Sequence, residues 1–209
     1  MSAGGIRDRF RAQMRQEVKD VALRQLAEGG PGALSLNAIA KELGVSGPAL
    51  YRYFSGRDAL LTELILDAYA DLTAAISAAA RRLPALAAAY RTWATAHPHR
   101  YRLLFGAPLP GFDAHDERLA GAAQRAVDVL LSGVGAGPEP APPLAGELRH
   151  WAHERGADGT DPAVTLHAVA AWSRLHGFVS LEIAGNFRSL GLDPDHFFAA
   201  EVDALRSAR

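Results

Sequence analysis

Hydrophobic positions recur every three or four residues along most of this chain. Residues 7–28 carry Phe10, Met14, Val18, Val21, Ala22 and Leu26 on one stripe, the spacing of an amphipathic helix. Gly29-Gly30-Pro31-Gly32 stops it. Ser35 is placed to cap a second helix that turns Leu36, Ile39, Ala40 and Leu43 inward, and Gly44 suits the left-handed residue that ends it. Ser46 is placed to cap a third helix, with Pro48 in its first turn and Leu50 and Phe54 inward. A long fourth helix begins at Ser55, with Asp58 three residues on as in a capping box. Its stripe is Leu60, Leu61, Leu64, Ile65, Ala68, Leu72 and Ile76.

Beyond Arg81-Arg82-Leu83-Pro84 a second helical region follows. The pattern predicts helices over 84–97, 98–105, 114–132, 144–155, 162–185 and 194–207. The last two open on Asp161-Pro162 and Asp193-Pro194, an N-cap followed by proline at the first helical position. Residues 133–143 hold too much glycine and proline for a helix and read as a mobile loop. Neither strand alternation nor an internal repeat is present. The fold class is therefore all-α, with about nine to ten helices.

Composition narrows the function classes. Hydrophobic residues at 49% and charged residues at 22% describe a globular chain rather than a disordered one. No apolar run approaches the roughly 18 residues of a membrane span, and the N-terminus lacks an apolar signal core. With no cysteine, disulfides and thiol catalysis are excluded. A cytoplasmic protein is the plain reading. The net charge of −1 hides an asymmetry: residues 1–57 hold nine basic and five acidic side chains, whereas 58–209 hold 13 and 18. A basic end on a mildly acidic body suits a polyanion bound at that end.

The basic end coincides with two short helices joined at Gly44-Val45-Ser46, the layout of a helix-turn-helix. The recognition helix is predicted over 47–53. Its first turn offers Ser46, Gly47, Pro48 and Ala49, all small, so its backbone can approach base edges closely, and Pro48 and Ala49 can meet a thymine methyl. Tyr51 and Arg52 add polar contacts, Arg52 either to guanine or to a phosphate. Tyr53 and Arg57 read as phosphate binders, Arg57 near the positive end of helix four. Ser35 and Asn37, at the start of helix two, complete the candidate DNA face, and Arg7, Arg9 and Arg11 can lie along the backbone or minor groove. The competing account packs Tyr51 and Tyr53 as ordinary helix aromatics. Leu50 and Phe54 already fill the inward positions, which leaves both tyrosines beside the seam.

Residues 35–66 resemble the DNA-binding domain of the tetracycline-repressor (TetR) family. Ile39-Ala40, Gly44-Val45-Ser46, Leu50-Tyr51-Arg52-Tyr53-Phe54, Arg57 and Ala59-Leu60-Leu61 stand in register with that family's signature, and with helix one the match covers about 50 residues. The family often has lysine after the turn; Arg57 keeps the charge. The resemblance implies a homodimeric regulator, most often a repressor, bound to a palindromic operator and released by a small molecule. It assigns DNA binding to residues 1–57 and the start of helix four, and effector binding and dimerisation to 58–209.

In the second half, Trp172…His176-Gly177 and the segment from His97-Pro98 through Tyr101 to Phe105 are similar to motifs of one C-terminal subfamily, marked by Trp…His-Gly. Tyr90, Trp93, Tyr101, Phe105, Trp172 and His176 are the candidate effector contacts, although each aromatic is a core residue more often than a ligand contact. TetR relatives dimerise through their last two helices. On that implication Val164, Ala168, Ala171, Leu175 and Phe178, with Phe198, Val202 and Leu205, form the expected dimer stripe.

Other chemistry is weaker. Glu147-x-x-His150 has the spacing used in di-iron bundles, but no second copy of it exists. His150 and His153 alone make an incomplete metal site. No Gly-x-Ser-x-Gly, phosphate loop or dinucleotide fingerprint occurs. Neither an enzyme, a metal nor a cofactor is expected. The rival reading is a helical ligand-binding or interaction protein without DNA binding.

Overall fold

The computed structural model describes residues 3–106, 111–113 and 116–207. They form helices α1 (Ala3–Gly29), α2 (Leu36–Glu42), α3 (Gly47–Tyr51), α4 (Arg57–Ser77), α5 (Leu83–Ala96), α6 (Pro98–Phe105), α7 (Glu117–Leu131), α8 (Pro142–Glu154), α9 (Pro162–Ile183), α10 (Asn186–Ser189) and α11 (Pro194–Ser207). No strand occurs among the described residues. The all-α expectation holds, with one short helix more than the hydrophobic pattern gave. That helix, α10, follows Gly185 in the left-handed conformation and buries Phe187, a single apolar anchor too brief to read as periodicity. The expected start of α7 at 114 lies outside the described residues.

The helices group into two compact units. The first holds α1, α2, α3, α4 as far as Tyr69, α6 and the start of α7. Its core is Val18, Val21, Ala22 and Leu26 of α1, Leu36, Ile39 and Ala40 of α2, Leu50, Phe54, and Leu60, Leu61 and Leu64 of α4; Leu103 and Phe112 pack on its edge. Phe10 is an exception to the α1 stripe: it is 61% exposed, as is Ile6 at 58%, because α1 begins at Ala3 and its first turns overshoot this core.

The second unit holds the end of α4, α5, most of α7, and α8 to α11. Four of its helices, α5, α9, α10 and α11, are joined by an aromatic cluster and one arginine. Phe178 lies 4.6 Å from Phe187, 5.1 Å from Phe198 and 5.4 Å from Phe197, ring centre to ring centre. Arg91 of α5 lies 4.8 Å over the Phe198 ring. It donates through Nε and Nη2 to Glu182 of α9 at 2.8 and 2.6 Å, and through Nη2 to Asp195 of α11 at 2.7 Å. One planar cation thus fixes three helices, a task its fork of donors suits.

Residues 133–141 are non-helical as expected, but they are pinned rather than loose. Gly137 donates to the Ala163 carbonyl, Pro140 is buried, and the Gly135 carbonyl lies 2.9 Å from His167 Nδ1. The other ring nitrogen of His167 lies 3.0 Å from the Leu205 carbonyl, so this buried histidine ties the loop to α11.

Replacing Arg91 by Met leaves the Glu182 carboxylate, only 14% exposed, without its partner. Urea unfolding of Arg91→Met should show a loss of roughly 2–4 kcal/mol, most of it regained when Glu182→Leu is added. A single variant as stable as the parent would show that the clamp is not what holds these helices.

Candidate nucleic-acid interface

The α2–turn–α3 element is built from the inside. Leu36, Ile39 and Ala40 anchor α2, and Leu50 and Phe54 anchor α3 and the turn after it. Between them Gly44 takes a φ of +66°, which residues with a Cβ rarely adopt, and this lets Val45 N–H reach the Ala40 carbonyl at 3.0 Å. Ser35 caps α2 by accepting the Ala38 N–H at 3.3 Å. Ser46 occupies the N-cap position of α3, but its side chain makes no cap hydrogen bond. The hydroxyl expected to cap the helix is instead presented outward.

With Leu50 and Phe54 inward, the opposite face of α3 is open. Pro48, Tyr51 and Arg52 are exposed, Tyr51 by 50%, as are Asn37 and Ser46, whereas Gly47 and Ala49 are half-buried. A Cβ on Gly47 would sit 3.7 Å from Asn37 Oδ1, so the first turns of α2 and α3 adjoin and form one surface. Tyr53 differs from Tyr51: it is half-buried against the core. Arg57 is the first residue of α4, where the helix dipole is positive.

Residues that the sequence pattern did not single out set the pose of α3. Arg15 Nη1 donates to the Tyr53 carbonyl at 2.6 Å, its guanidinium lies 4.4 Å over the Phe54 ring, and its Nη2 lies 3.0 Å from Glu63. One turn along α1, buried Lys19 reaches Asp67 at 2.7 Å and Glu63 at 3.3 Å. The signal was present as two basic residues four apart on helix one and two acidic residues four apart on helix four. Burial alone would raise the Glu63 carboxyl, but Lys19 and Arg15 outweigh it and hold it below the usual carboxylate value. Arg7 and Arg11 stand on the exposed start of α1, where Ile6, Phe10, Arg52 and Tyr53 join them along a shallow groove. The expected arm is thus a helical extension.

The effector candidates are divided between the two units. Tyr101 and Phe105 belong to the first unit, their rings 5.1 Å apart. Tyr90, Trp93, Trp172 and His176 belong to the second. Tyr90 is fully buried, with its hydroxyl 3.4 Å from His176 Nδ1, and His176 stacks on Trp172 at 5.5 Å. Burial of His176 disfavours its charged form and lowers its pKa. Trp93 is buried and donates to Asp71 at 3.0 Å. Tyr90, Trp93 and Tyr101 are core side chains.

The residues of the expected dimer stripe lie mostly inside the single chain. Ala168, Ala171, Leu175, Phe178, Phe198, Val202 and Leu205 are buried within the single chain, and Val164 is half-buried. They hold α9 and α11 against their own neighbours, because the most apolar stripe of a helix is spent first on its own core. His150 and His153 pair with Glu154 and Asp158, and no group of three potential metal ligands occurs among the described residues.

Comparison with known proteins agrees with this architecture. Residues 19–64 match the family model described as bacterial regulatory proteins, tetR family. Residues 83–205 match that of the tetracyclin repressor-like C-terminal domain. The HTH-type transcriptional regulator Rv1816 of Mycobacterium tuberculosis is 35% identical over 96% of this chain and 94% of its own length. The crystal structure of putative regulatory protein SCO4313 superimposes with a TM-score of 0.84 at 42% identity, covering 95% of this chain and 97% of that one. At 15% identity, FadR from Bacillus subtilis, crystallised with stearoyl-CoA, shares the fold with a TM-score of 0.58 over 93% and 98% of the two chains.

The Glu63 cluster makes a pH-dependent prediction. A carboxyl held below its ordinary 4.5 stabilises the fold fully above about pH 5, and that stabilisation disappears as pH falls through the folded-state value. The stability gap between the parent and Glu63→Gln should therefore be widest near neutrality and shrink below pH 4.5 in denaturant titrations. A gap constant down to pH 3 would overturn the assignment.

Proposed function

Because this chain belongs to the TetR family of DNA-binding transcriptional regulators, we propose that it is a homodimeric repressor that reads a palindromic operator through α3 and releases it when a small molecule occupies the C-terminal unit. The observation that carries the reading is the open face of α3. A five-residue helix, anchored from behind by Leu50, leaves Pro48 and Tyr51 exposed, with Ser46 before it and Arg52 after it exposed as well. Small residues at the N-terminal turn allow the backbone to enter a major groove, Tyr51 and Arg52 contact bases or the flanking phosphates, and Arg57 holds the strand on the far side. Ser35 contributes through its cap, which aims the start of α2 and Asn37 at the same groove.

The homodimer is supported by what lies outside the buried stripes. The outward side of α9 carries Ala170, Ser173, Gly177, Leu181 and Ala184 at helical spacing, with Leu181 45% exposed. A Cβ on Gly177 would meet nothing within 4 Å in the single chain, so this narrow ridge faces away from the core. On α11 the exposed Phe197, Ala200 and Ala204 make a matching strip. Two such copies pack as a four-helix bundle with close backbones. Ligand release is supported by the family and by a protein of the same fold, FadR, crystallised with stearoyl-CoA.

Two measurements test this. In gel shifts against the DNA flanking its own gene, the protein should bind specifically, lose affinity steeply with salt, and lose at least about ten-fold on Tyr51→Ala, which is about 1.4 kcal/mol. Unchanged affinity in that variant would remove α3 from the groove. In sedimentation the parent should run at twice 22.2 kDa and Leu181→Glu as a monomer; a parent monomer at micromolar concentration would overturn the bundle.

A further inference from the structure

A cavity of about 290 Å³ opens in the second unit between the end of α7, the end of α8 and the start of α9. Trp151, Val164 and Ala168 supply apolar wall, and Ser132 and Thr165 supply hydroxyls. Both hydroxyls already donate to backbone carbonyls, Ser132 to Val129 and Thr165 to Asp161, so neither demands a ligand. Arg155, just beyond α8, is different. Its guanidinium lies 4.3 Å over the Trp151 ring, which holds it in one plane. Its Nε is buried and has no hydrogen-bond partner. Its Nη2 has the Asp128 carboxylate 3.9 Å away, too far to accept a hydrogen bond. Nε and Nη2 form the edge of a guanidinium that takes a carboxylate side-on with two parallel bonds. A buried N–H without an acceptor is costly and rare in a settled core. Arg155 lines the cavity, although its Nε is itself closed off from solvent.

We infer that this cavity is a binding site for a small organic carboxylate with an apolar body, its carboxylate taken by the guanidinium of Arg155 and its body by Trp151, Val164 and Ala168. The volume sits at the lower end of ligand pockets, which selects molecules of the size of benzoate or hexanoate over long acyl chains. Asp128, half-exposed, turns to solvent as the ligand takes its place beside Nη2. The walls come from α7, α8 and α9. As a site it stands on this geometry; as the effector site it rests on the regulator reading above.

Isothermal titration of the intact protein with benzoate, hexanoate and the neutral benzyl alcohol tests it. Saturable binding of one acid per chain, at least ten-fold tighter than the alcohol, is expected. Arg155→Gln should lose at least ten-fold, and Val164→Phe, which fills the cavity, should abolish binding. Absence of saturable acid binding, equal binding of the alcohol, or parental affinity in folded Arg155→Gln overturns the site. If circular dichroism shows that Arg155→Gln is unfolded, the acid-to-alcohol ratio and Val164→Phe decide. Gel shifts of the same sample separate the two readings. Acid binding without any DNA binding leaves the site standing and removes the regulator. DNA binding that persists undiminished at saturating acid removes the effector role.

Discussion

A helix of five residues cannot hold itself in water, since nucleating a turn costs more than so few hydrogen bonds return. α3 is such a helix, and the face it offers to DNA is only as well placed as the contacts behind it. Leu50 and Phe54 supply the apolar anchor. Arg15 supplies the directional one, taking the Tyr53 carbonyl at the open C-terminal end while lying on the Phe54 ring. That carbonyl lies in the turn two residues beyond α3, so Arg15 fastens the turn that ends α3 to α1 in a single contact. Glu63 and Asp67 then tie Arg15 and Lys19 to α4. A charged network between α1 and α4 thus backs the turn that follows α3.

The second unit solves a different problem with similar means. Its long helix α9 must bury one face against α5, α8 and α11 and still leave another face free. Phe178, Phe187 and Phe198 provide bulk, and Arg91 adds orientation by binding Glu182 and Asp195 at once. Buried ion pairs of this kind contribute less to net stability than to choosing one arrangement among several apolar ones. For α9 this choice decides which residues are core and which form the outward ridge of Ala170, Ser173, Gly177 and Leu181.

Much of this was legible in the chain. Helical period, Gly44 and the two Asp-Pro starts located ten of the eleven helices among the described residues, and the register around Leu50-Tyr51 and Phe54 located the open face of α3. Two things were not. Periodicity identifies an apolar stripe but not its partner, so Leu175, Phe178 and Val202 read equally well as monomer core or dimer seam; only their burial in one chain separates these. Side chains acting across helices were hidden for the same reason: nothing local distinguishes Arg15 from Arg11, or Arg155 from Arg149. Tyr53 is a milder case. One residue from inward Phe54, it lies where the chain turns and is packed partly on the core.

The two faces of α9 bear on how a bound molecule would act at a distance. Val164, Thr165 and Ala168 line the cavity beside Arg155, and two turns further on Ser173, Gly177 and Leu181 face outward. In the dimer proposed above, a ridge of small residues packs against its twin with little room to shift, so a ligand that displaced the N-terminal half of α9 would alter the fit between copies rather than being absorbed by long side chains. A ligand that favours one setting of α9 need differ in affinity by only about 1–3 kcal/mol between the two settings to change operator occupancy five- to a hundred-fold. No contact between ligand and DNA is required, only a shared helix with a buried side and a paired side. A larger residue at Gly177 would blunt that coupling without touching either the cavity or α3.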